Sequence, residues 1–280
     1  MKENKRWRLG IKGLSPILLI WTALRLAFRI LGRRRRQIIF EKIGWSNSGV
    51  FREWIYMRFP NYAKHDNTPG ASEERLLFQL SGRLFVDVGA HFGYFSLLLR
   101  RQFEKILAIE PHPGNLAVLQ RYVLKANANN IQLIPLAISD RTQSKVSLFL
   151  GNAPGNPSLL YEFAGGTGGV SGVWKDSVSK RTGIRRGDKI LVDTTTLAEL
   201  LKDEPNVDLV KVDVEGAEWQ VIKGAEPIIE KIQSWLIEVH YRSYSELKEL
   251  RLKMQDWLKQ RGYIPQWINR NHVYARRRGD

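Results

Sequence analysis

The chain of 280 residues contains no cysteine. This absence excludes a disulfide framework, a cysteine nucleophile and a zinc site built from thiolates. It is the composition expected of a protein in a reducing compartment, and we therefore predict a cytoplasmic location. Hydrophobic residues make up 43% of the chain, which is enough for one large α/β domain with an N-terminal appendage.

Acidic residues are scarce, because 28 Asp and Glu stand against 44 Lys and Arg, and the formal net charge is +16. The excess is uneven along the chain. Residues 1–45 contain twelve Lys and Arg but only two Glu, so about +10 of the charge belongs to this N-terminal arm. The pattern predicts an anionic partner for the arm and only mildly basic character for the rest of the chain.

An uninterrupted hydrophobic run of transmembrane length is also missing. The mostly apolar segment Leu14–Leu31 is interrupted by Arg25 and Arg29, and four arginines follow at 33–36. No small-residue cleavage site follows, which argues against a secretory signal peptide. Because each arginine inside a spanning helix costs about 2.5–3.5 kcal/mol, we favour a helix that lies on an anionic surface at the inner face of the membrane. A helix packed on the next domain and a true membrane span are the alternatives.

Changes in composition predict the domain organisation. Residues 46–77 are rich in aromatic side chains and end in a short capped helix, which indicates a linker or lid. We favour packing of these aromatic residues on the sheet over stacking against a substrate. The main domain is predicted at 78–280. Within it, residues 151–189 are dense in Gly, Ser, Asn and Pro, which indicates an inserted loop that covers the substrate or is disordered.

The stretch Leu84–Leu99, LFVDVGAHFGYFSLLL, has the pattern of a strand, a glycine turn and a helix. The apolar run before Asp87 is typical of a buried parallel strand, and Gly89 and Gly93 allow a sharp turn and a close approach to a ligand. This is the opening unit of a doubly wound α/β domain, whose ligands bind at the carboxyl ends of the strands. The spacing D-x-G-x-x-x-G differs from the dinucleotide fingerprint.

Two further strands are predicted to end at acidic residues. Strand Lys105–Glu110 ends 23 residues after Asp87, where a carboxylate is suited to accept hydrogen bonds from ribose hydroxyls. A third strand, Ile131–Ile138, leads to Asp140, near the position expected for an adenine ring. This spacing of acid-ended strands predicts a nucleoside-like cofactor.

The remaining predicted elements follow from apolar periodicity and turn residues. In chain order they are a helix over Asn115–Ala126, a strand over Val146–Leu150, a capped helix within Asp193–Leu201, strands Val207–Val214 and Ser234–Val239, a helix over Tyr244–Arg261 and a closing hairpin over Gly262–Arg276.

Charged residues gather at the ends of the fourth and fifth main strands. Lys211, Asp213 and Glu215 alternate about a strand end, with Asp213 directed to the cleft, and Glu218 is positioned one turn into the next helix to brace the loop. For Lys211 and Glu218 a structural ion pair is the alternative. His240 follows the fifth strand, and an ordinary pKa of about 6.5 suits it to proton removal at neutral pH. A purely structural histidine is the alternative.

The run KVDVEGAE, downstream of VDVGAHFG and AIEPHP, resembles the FkbM-type methyltransferases, a class I family that uses S-adenosylmethionine (SAM) and generally methylates hydroxyl oxygens. The resemblance covers residues 78–274. It implies a Rossmann-like, doubly wound, mostly parallel seven-stranded sheet, and O-methylation of a small-molecule, glycan or lipid-linked acceptor. The cofactor-binding residues that it implies are Asp87, Gly89, His91, Gly93, Glu110, Asp140 and Asp213. The catalytic residues that it implies are His240 and Asp213, either of which is the candidate base.

The sequence leaves a metal site and two other functions as alternatives. Asp213, Glu215 and Glu238 are placed to cluster around a divalent metal, but no separate metal-ligand spacing supports one. A nucleic-acid methyltransferase suits the net charge, yet the N-P-P-Y-type loop that acts on base amines is absent after the fourth strand. A non-enzymatic protein that binds membranes or nucleic acid leaves the acid-ended strands unexplained. Nucleic acid is therefore disfavoured as a partner.

Overall fold

The computed structural model describes residues 72–150, 157–160 and 188–279. The N-terminal arm, the aromatic-rich segment before Ser72 and most of the inserted loop lie outside the described residues, and the predictions made for them stay predictions. Among the described residues, no helix combines the length and apolar character needed to cross a membrane.

The described part of the chain alternates strands with helices. The strands are β1 (Gly82–Val88), β2 (Phe103–Ile109), β3 (Ile131–Ile134), β4 (Ala137–Ile138), β5 (Gln143–Phe149), β6 (Lys189–Thr195), β7 (Leu209–Val212), β8 (Ser234–Glu238), β9 (Tyr263–Trp267) and β10 (His272–Arg277). The helices are α1 (Ser72–Leu77), α2 (Tyr94–Leu98), α3 (Pro113–Lys125), α4 (Leu197–Leu200), α5 (Glu218–Gly224) and α6 (Tyr244–Gln260), with a 3₁₀ helix at Glu226–Lys231.

The main sheet has seven strands in the order β3-β2-β1-β7-β8-β10-β9. Strands β3, β2, β1, β7 and β8 run parallel to one another, whereas β10 is antiparallel to its neighbours β8 and β9. Residues of β7 are all buried, as are the last five of β1, which is typical of parallel strands covered on both faces. The predicted doubly wound, mostly parallel seven-stranded sheet is confirmed.

The position of β1 in this order determines where a ligand can bind. Strand β1 pairs with β2 on one side and with β7 on the other. After β1 the chain continues to β2 on one side, and after β7 it continues to β8 on the other side. A crevice therefore opens outside the carboxyl ends of β1 and β7.

A second sheet of three strands, in the order β4-β6-β5, was not predicted. The prediction of one strand over Ile131–Ile138 is wrong, because the main-sheet pairing ends at Ile134 and Pro135 has no backbone N–H to continue a ladder. The next residues, Ala137 and Ile138, pair with Thr194 and Thr195 of β6. The chain thus passes from one sheet to the other within three residues.

The prediction of a helix within Asp193–Leu201 is only partly right. The helix is limited to Leu197–Leu200, and the side chain of Thr196 caps it by accepting a hydrogen bond from the backbone N–H of Glu199. The residues before this helix form β6, the central strand of the second sheet, which pairs with β4 on one side and with β5 on the other. The inserted loop therefore ends at the start of β6, Lys189.

The other predicted elements of the second half are confirmed. The fourth and fifth main strands are β7 and β8, α6 follows, and β9 and β10 form the closing hairpin. The turn of the hairpin is held by Asn269, whose side-chain oxygen accepts hydrogen bonds from the backbone N–H groups of Asn271 (3.0 Å) and His272 (2.8 Å).

Candidate functional site

A cavity lies at the carboxyl ends of β1, β2 and β7, the position that the strand order favours. Its lining combines loops of the main sheet with apolar residues of the second sheet. The residues that line it are Val88, Gly89, His91, Ile109, Glu110, Pro111, Asn115, Leu136, Ala137, Ile138, Leu148, Pro157, Leu159, Asp213, Val214, Glu215 and Ala217.

The loop after β1 brings the backbone of Gly89 to the cavity wall. Gly89 has a φ of 81°, and a Cβ at this position would lie 1.8 Å from the backbone oxygen of Asp213. Only glycine allows the loops after β1 and β7 to approach this closely. Gly93, also predicted to face the cofactor, has a different role, because its Cβ would meet the Leu119 side chain at 2.0 Å. Gly93 lets α2 pack against α3 and does not line the cavity.

Asp87 supports the site from behind the cavity. It is buried, and its Oδ2 accepts hydrogen bonds from the backbone N–H (3.1 Å) and hydroxyl (2.6 Å) of Ser96, at the start of α2. Its other oxygen lies 3.9 Å from the ammonium of Lys211. Burial raises the pKa of Asp87, although Lys211 and Ser96 oppose the shift. The residue thus fixes α2 and pairs with Lys211, and it does not line the cavity.

Glu110 is buried at the end of β2 and lines the cavity. Its carboxylate accepts hydrogen bonds from the backbone N–H groups of His91 and His112, both at 2.9 Å, and from the side-chain amide of Asn115 at 3.2 Å. Burial raises the pKa of Glu110 to about 7, although these hydrogen bonds oppose the shift. Because a carboxylate has about four acceptor positions, it retains capacity for a hydroxyl donor.

Two further predicted cofactor residues, His91 and Asp140, differ in position. His91 lines the cavity and has a φ of 51°, and its ring stacks on Phe92 with 3.7 Å between centroids. Asp140 does not line the cavity, and its carboxylate lies 3.2 Å from the guanidinium of the adjacent Arg141. It follows β4, which has left the main sheet, and this explains why the prediction from a continuous third strand misplaced it.

Lys211 and Asp213 form a pair at the end of β7. The buried Lys211 ammonium lies 3.1 Å from Asp213 Oδ2, so Lys211 forms an ion pair whose partner is Asp213. Burial favours the neutral form of Asp213, but Lys211 and then His240 lower its pKa to about 2. Burial opposes the charge of Lys211 as well, yet the carboxylates of Asp213 and Asp87 raise its pKa. Asp213 therefore carries a negative charge into the cavity lining.

His240 lies among four carboxylates, of which Glu218 and Glu215 are nearest. Its Nδ1 is 2.8 Å from Glu218 Oε1, and its Nε2 is 3.3 Å from Glu215 Oε2. The same oxygen of Glu218 accepts a hydrogen bond from the backbone N–H of Gly216 at 2.8 Å, which is the bracing role predicted for it. Sequence reasoning did not pair Glu218 with His240, since the two residues come from different elements.

The other two carboxylates extend the cluster. Asp213 Oδ1 and Glu238 Oε1 lie 3.9 and 3.8 Å from Nε2 of His240. The second oxygen of Glu238 is 3.2 Å from Nε2 of His272, which also lies 3.1 Å from Glu73 of α1. Ligand atoms of Asp213, Glu238 and His240 are within 4.8 Å of one another. Glu215, which the sequence places in such a cluster with Asp213 and Glu238, is not part of this group.

Two residues beyond the predicted set complete the site. Ser158, in the described part of the inserted loop, is buried and donates a hydrogen bond from its hydroxyl to the backbone oxygen of Glu215 at 2.7 Å. Asn115, in the first turn of α3, orients Glu110. The only sequence signal for Asn115 is its position five residues after Glu110, the acidic end of the predicted strand Lys105–Glu110. No sequence signal points to Ser158.

Comparison with known proteins decides the family. The family model of the methyltransferase FkbM domain matches residues 87–265, which include the last two residues of β1, all of β2, β7 and β8, and every residue that lines the cavity. The chain belongs to the FkbM methyltransferase family. The chain has the mostly parallel seven-stranded sheet that the sequence resemblance implied.

Two curated relatives of this chain are methyltransferases by name. Methyltransferase 1 of Beauveria bassiana is 30% identical over 146 residues, which are 50% of this chain and 57% of the relative. Methyltransferase sdnD of Sordaria araneosa is 32% identical over 166 residues, 52% of this chain and 61% of the relative. The chain thus spans about six-tenths of the length of these relatives.

A solved structure of methyltransferase FkbM from Methylobacillus flagellatus is also similar. Its sequence is 18% identical to this chain, and the TM-score is 0.43. The similarity covers 70% of this chain and 43% of the solved one.

Proposed function

We propose that the protein transfers a methyl group from SAM to a hydroxyl oxygen of a small-molecule, glycan or lipid-linked acceptor. The observation that carries the proposal is the cavity at the β1–β7 switch point, where the Glu110 carboxylate and the backbone of Gly89 lie beside the charged Asp213. Membership of the FkbM family supports the same reaction type.

The residues present suit SAM. Glu110, already oriented by three protein donors, is the proposed acceptor for the ribose hydroxyls, and the apolar residues of β4 and β5 offer a surface for the adenine ring. The Gly89 backbone and Asp213 are proposed to hold the methionine portion. SAM supplies an electrophilic methyl group when it is bound.

The protein's own contribution is alignment and charge. Holding the acceptor oxygen in line with the transferred methyl accounts for most of the expected rate enhancement. Asp213 is the proposed proton acceptor, because it is negatively charged and lines the cavity. The acceptor oxygen gains the methyl group and loses its proton, so the products are a methyl ether and S-adenosylhomocysteine.

Replacement of Glu110 by alanine is expected to weaken SAM binding by about 1–3 kcal/mol, because ribose hydroxyls would lose their acceptor. Calorimetric titration of the folded variant measures this change. Glu104→Ala is the matched control, since Glu104 is an exposed acid at the opposite end of the same strand. Unchanged affinity in folded Glu110→Ala would remove Glu110 from the site.

The raised pKa of Glu110 gives a further expected result. Hydroxyl donors bind the ionised carboxylate better, and the ionised fraction grows as the pH rises through about 7. The affinity of the wild type for SAM should therefore increase by up to about tenfold from roughly pH 6 to roughly pH 8. Glu110→Gln should abolish this dependence.

For the N-terminal arm we propose binding to an anionic membrane surface, which would make the protein peripheral at the inner face of the membrane. Its twelve basic residues support this, since each contributes about 1 kcal/mol near such a surface. A chain that begins at Trp45 should bind SAM as the full chain does, but should no longer sediment with phosphatidylserine vesicles; phosphatidylcholine vesicles are the control. Aggregation of the shortened chain would favour the packed-helix alternative.

The experiment that tests the proposed reaction is a screen of cell extract with SAM carrying a labelled methyl group. We expect label in a hydroxyl-bearing small molecule, glycan or lipid, and the label should survive as an ether in product analysis. Label that appears in nucleic acid, or on nitrogen or carbon, would contradict the proposal. A parallel reaction with a chelator tests for a metal requirement, and we expect activity to persist.

A further inference from the structure

We infer that His240 is a positively charged positioning residue, which holds the loop between β7 and α5, and is not the base of the transfer. The inference rests on the proposed function, because the loop that His240 holds forms one wall of the proposed SAM cavity. Four residues of this loop, Asp213, Val214, Glu215 and Ala217, line that cavity.

Each of the two ring nitrogens of His240 lies beside a carboxylate. Nδ1 faces the Glu218 carboxylate at 2.8 Å and Nε2 faces the Glu215 carboxylate at 3.3 Å. A neutral imidazole has one donor nitrogen and one acceptor nitrogen, whereas both nitrogens donate in the imidazolium form. In the neutral form one of the two nitrogens would hold a lone pair beside a carboxylate oxygen. The arrangement is therefore complementary only to the charged form, which has no lone pair with which to accept a proton.

The loop needs such support because its backbone is strained. Glu215 has a φ of 54°, and Gly216 follows with a φ of 101°. A non-glycine residue with a left-handed conformation costs about 1–3 kcal/mol and persists only where its surroundings enforce it. Three contacts do so here: His240 to the Glu215 side chain, Ser158 to the Glu215 carbonyl, and Glu218 to the Gly216 N–H.

The carboxylates that surround His240 favour the imidazolium. Burial alone lowers the pKa of His240, but the hydrogen bond and charge of Glu218, followed by Glu215 and Asp213, raise it to about 10. The other charged groups of the described surroundings are Glu238 on β8, whose far oxygen binds His272 of β10, and Lys211, which binds the other oxygen of Asp213. His240 therefore keeps its proton throughout the neutral range.

The direct test is the protonation state of His240 in the full chain, measured by NMR of histidine labelled with ¹⁵N in the ring. We expect both nitrogens of His240 to stay protonated up to at least about pH 8. His112 is the internal reference, because burial lowers its pKa below the ordinary value of 6.5. A neutral ring with one acceptor nitrogen for His240 at pH 7.5 would overturn the inference.

Variants give an independent test. A positioning role predicts that His240→Gln weakens SAM binding about tenfold or more, and that His240→Lys, which restores the charge, recovers part of the affinity. A base predicts unchanged SAM affinity, a loss of about 10²–10⁴-fold in kcat and no recovery with lysine. The latter pattern would contradict the inference. The NMR and binding measurements need no turnover, so an absence of methyl transfer would count against the proposed function alone.

Discussion

Replacement of Asp213 by asparagine is expected to lower kcat by about 10²–10⁴-fold, the range for loss of a group that accepts a proton in the transition state. Asparagine has nearly the same shape but no charge, and among the described residues it leaves Asp87, at 3.9 Å, as the carboxylate nearest to the buried Lys211. We therefore also expect a loss of stability, which thermal unfolding measures separately from turnover.

The control for Asp213→Asn lies at the other end of the same strand. Asp208 precedes β7 and accepts hydrogen bonds from the backbone N–H groups of Arg83 and Leu84, both at 2.9 Å. Asp208→Asn should lower stability but leave kcat unchanged. Equal kcat values for Asp213→Asn and the wild type would remove Asp213 from the chemical step.

The pH dependence of turnover follows from the same charges. With the pKa of Asp213 held near 2 and that of His240 raised to about 10, neither group titrates between about pH 6 and pH 8. At saturating SAM, kcat should therefore be flat over this range, while the affinity for SAM rises as Glu110 ionises. A kcat that rises through pH 6.5 would indicate a histidine base instead.

Replacement of Gly89 by alanine is the second change with a large expected effect. The new methyl group would meet the backbone oxygen of Asp213 at 1.8 Å, and backbone atoms cannot move aside as a flexible side chain can. Left-handed strain of about 1–2 kcal/mol adds to an overpacking penalty of about 1–3 kcal/mol. We expect a loss of several kcal/mol of unfolding free energy and no measurable SAM binding.

The chain provides a matched control for this change. Gly262, just after α6, has nearly the same φ, 82°, but a Cβ there meets nothing within 4 Å. Gly262→Ala should therefore cost only the backbone strain and should bind SAM normally. If both variants bound SAM equally well, the close contact between the loops after β1 and β7 would not form the cofactor site.

The sequence predicted the parts of the site that depend on local pattern. Buried parallel strands leave continuous apolar runs, and the residues that end them, such as Glu110, Asp213 and His240, necessarily gather at one edge of the sheet. This reasoning also predicted the order of elements from β7 to β10. Local pattern could not distinguish residues that line the cavity from residues that support it. The supporting roles of Asp87 and Gly93 depend on how α2 packs in the folded chain.

The second sheet was missed for a different reason. Strand β6 carries a visible alternation, with Val192 and Thr194 buried and Leu191 and Asp193 exposed, but it follows a loop-like stretch. Its pairing with β4 joins residues 137 and 194, and no local pattern encodes so distant a contact. The inferred charge of His240 could not be predicted from the sequence either, because it depends on carboxylates that approach the ring only in the folded chain.

Calorimetric titration of SAM into the 280-residue chain, with Gly89→Ala and Gly262→Ala measured alongside, tests the assignment of the cofactor site most directly. We predict one SAM site per chain, with tighter binding at pH 8 than at pH 6, no binding by Gly89→Ala and normal binding by Gly262→Ala. Absence of SAM binding by the folded wild type, or binding that Gly89→Ala leaves intact, would contradict the assignment of this cavity as the cofactor site.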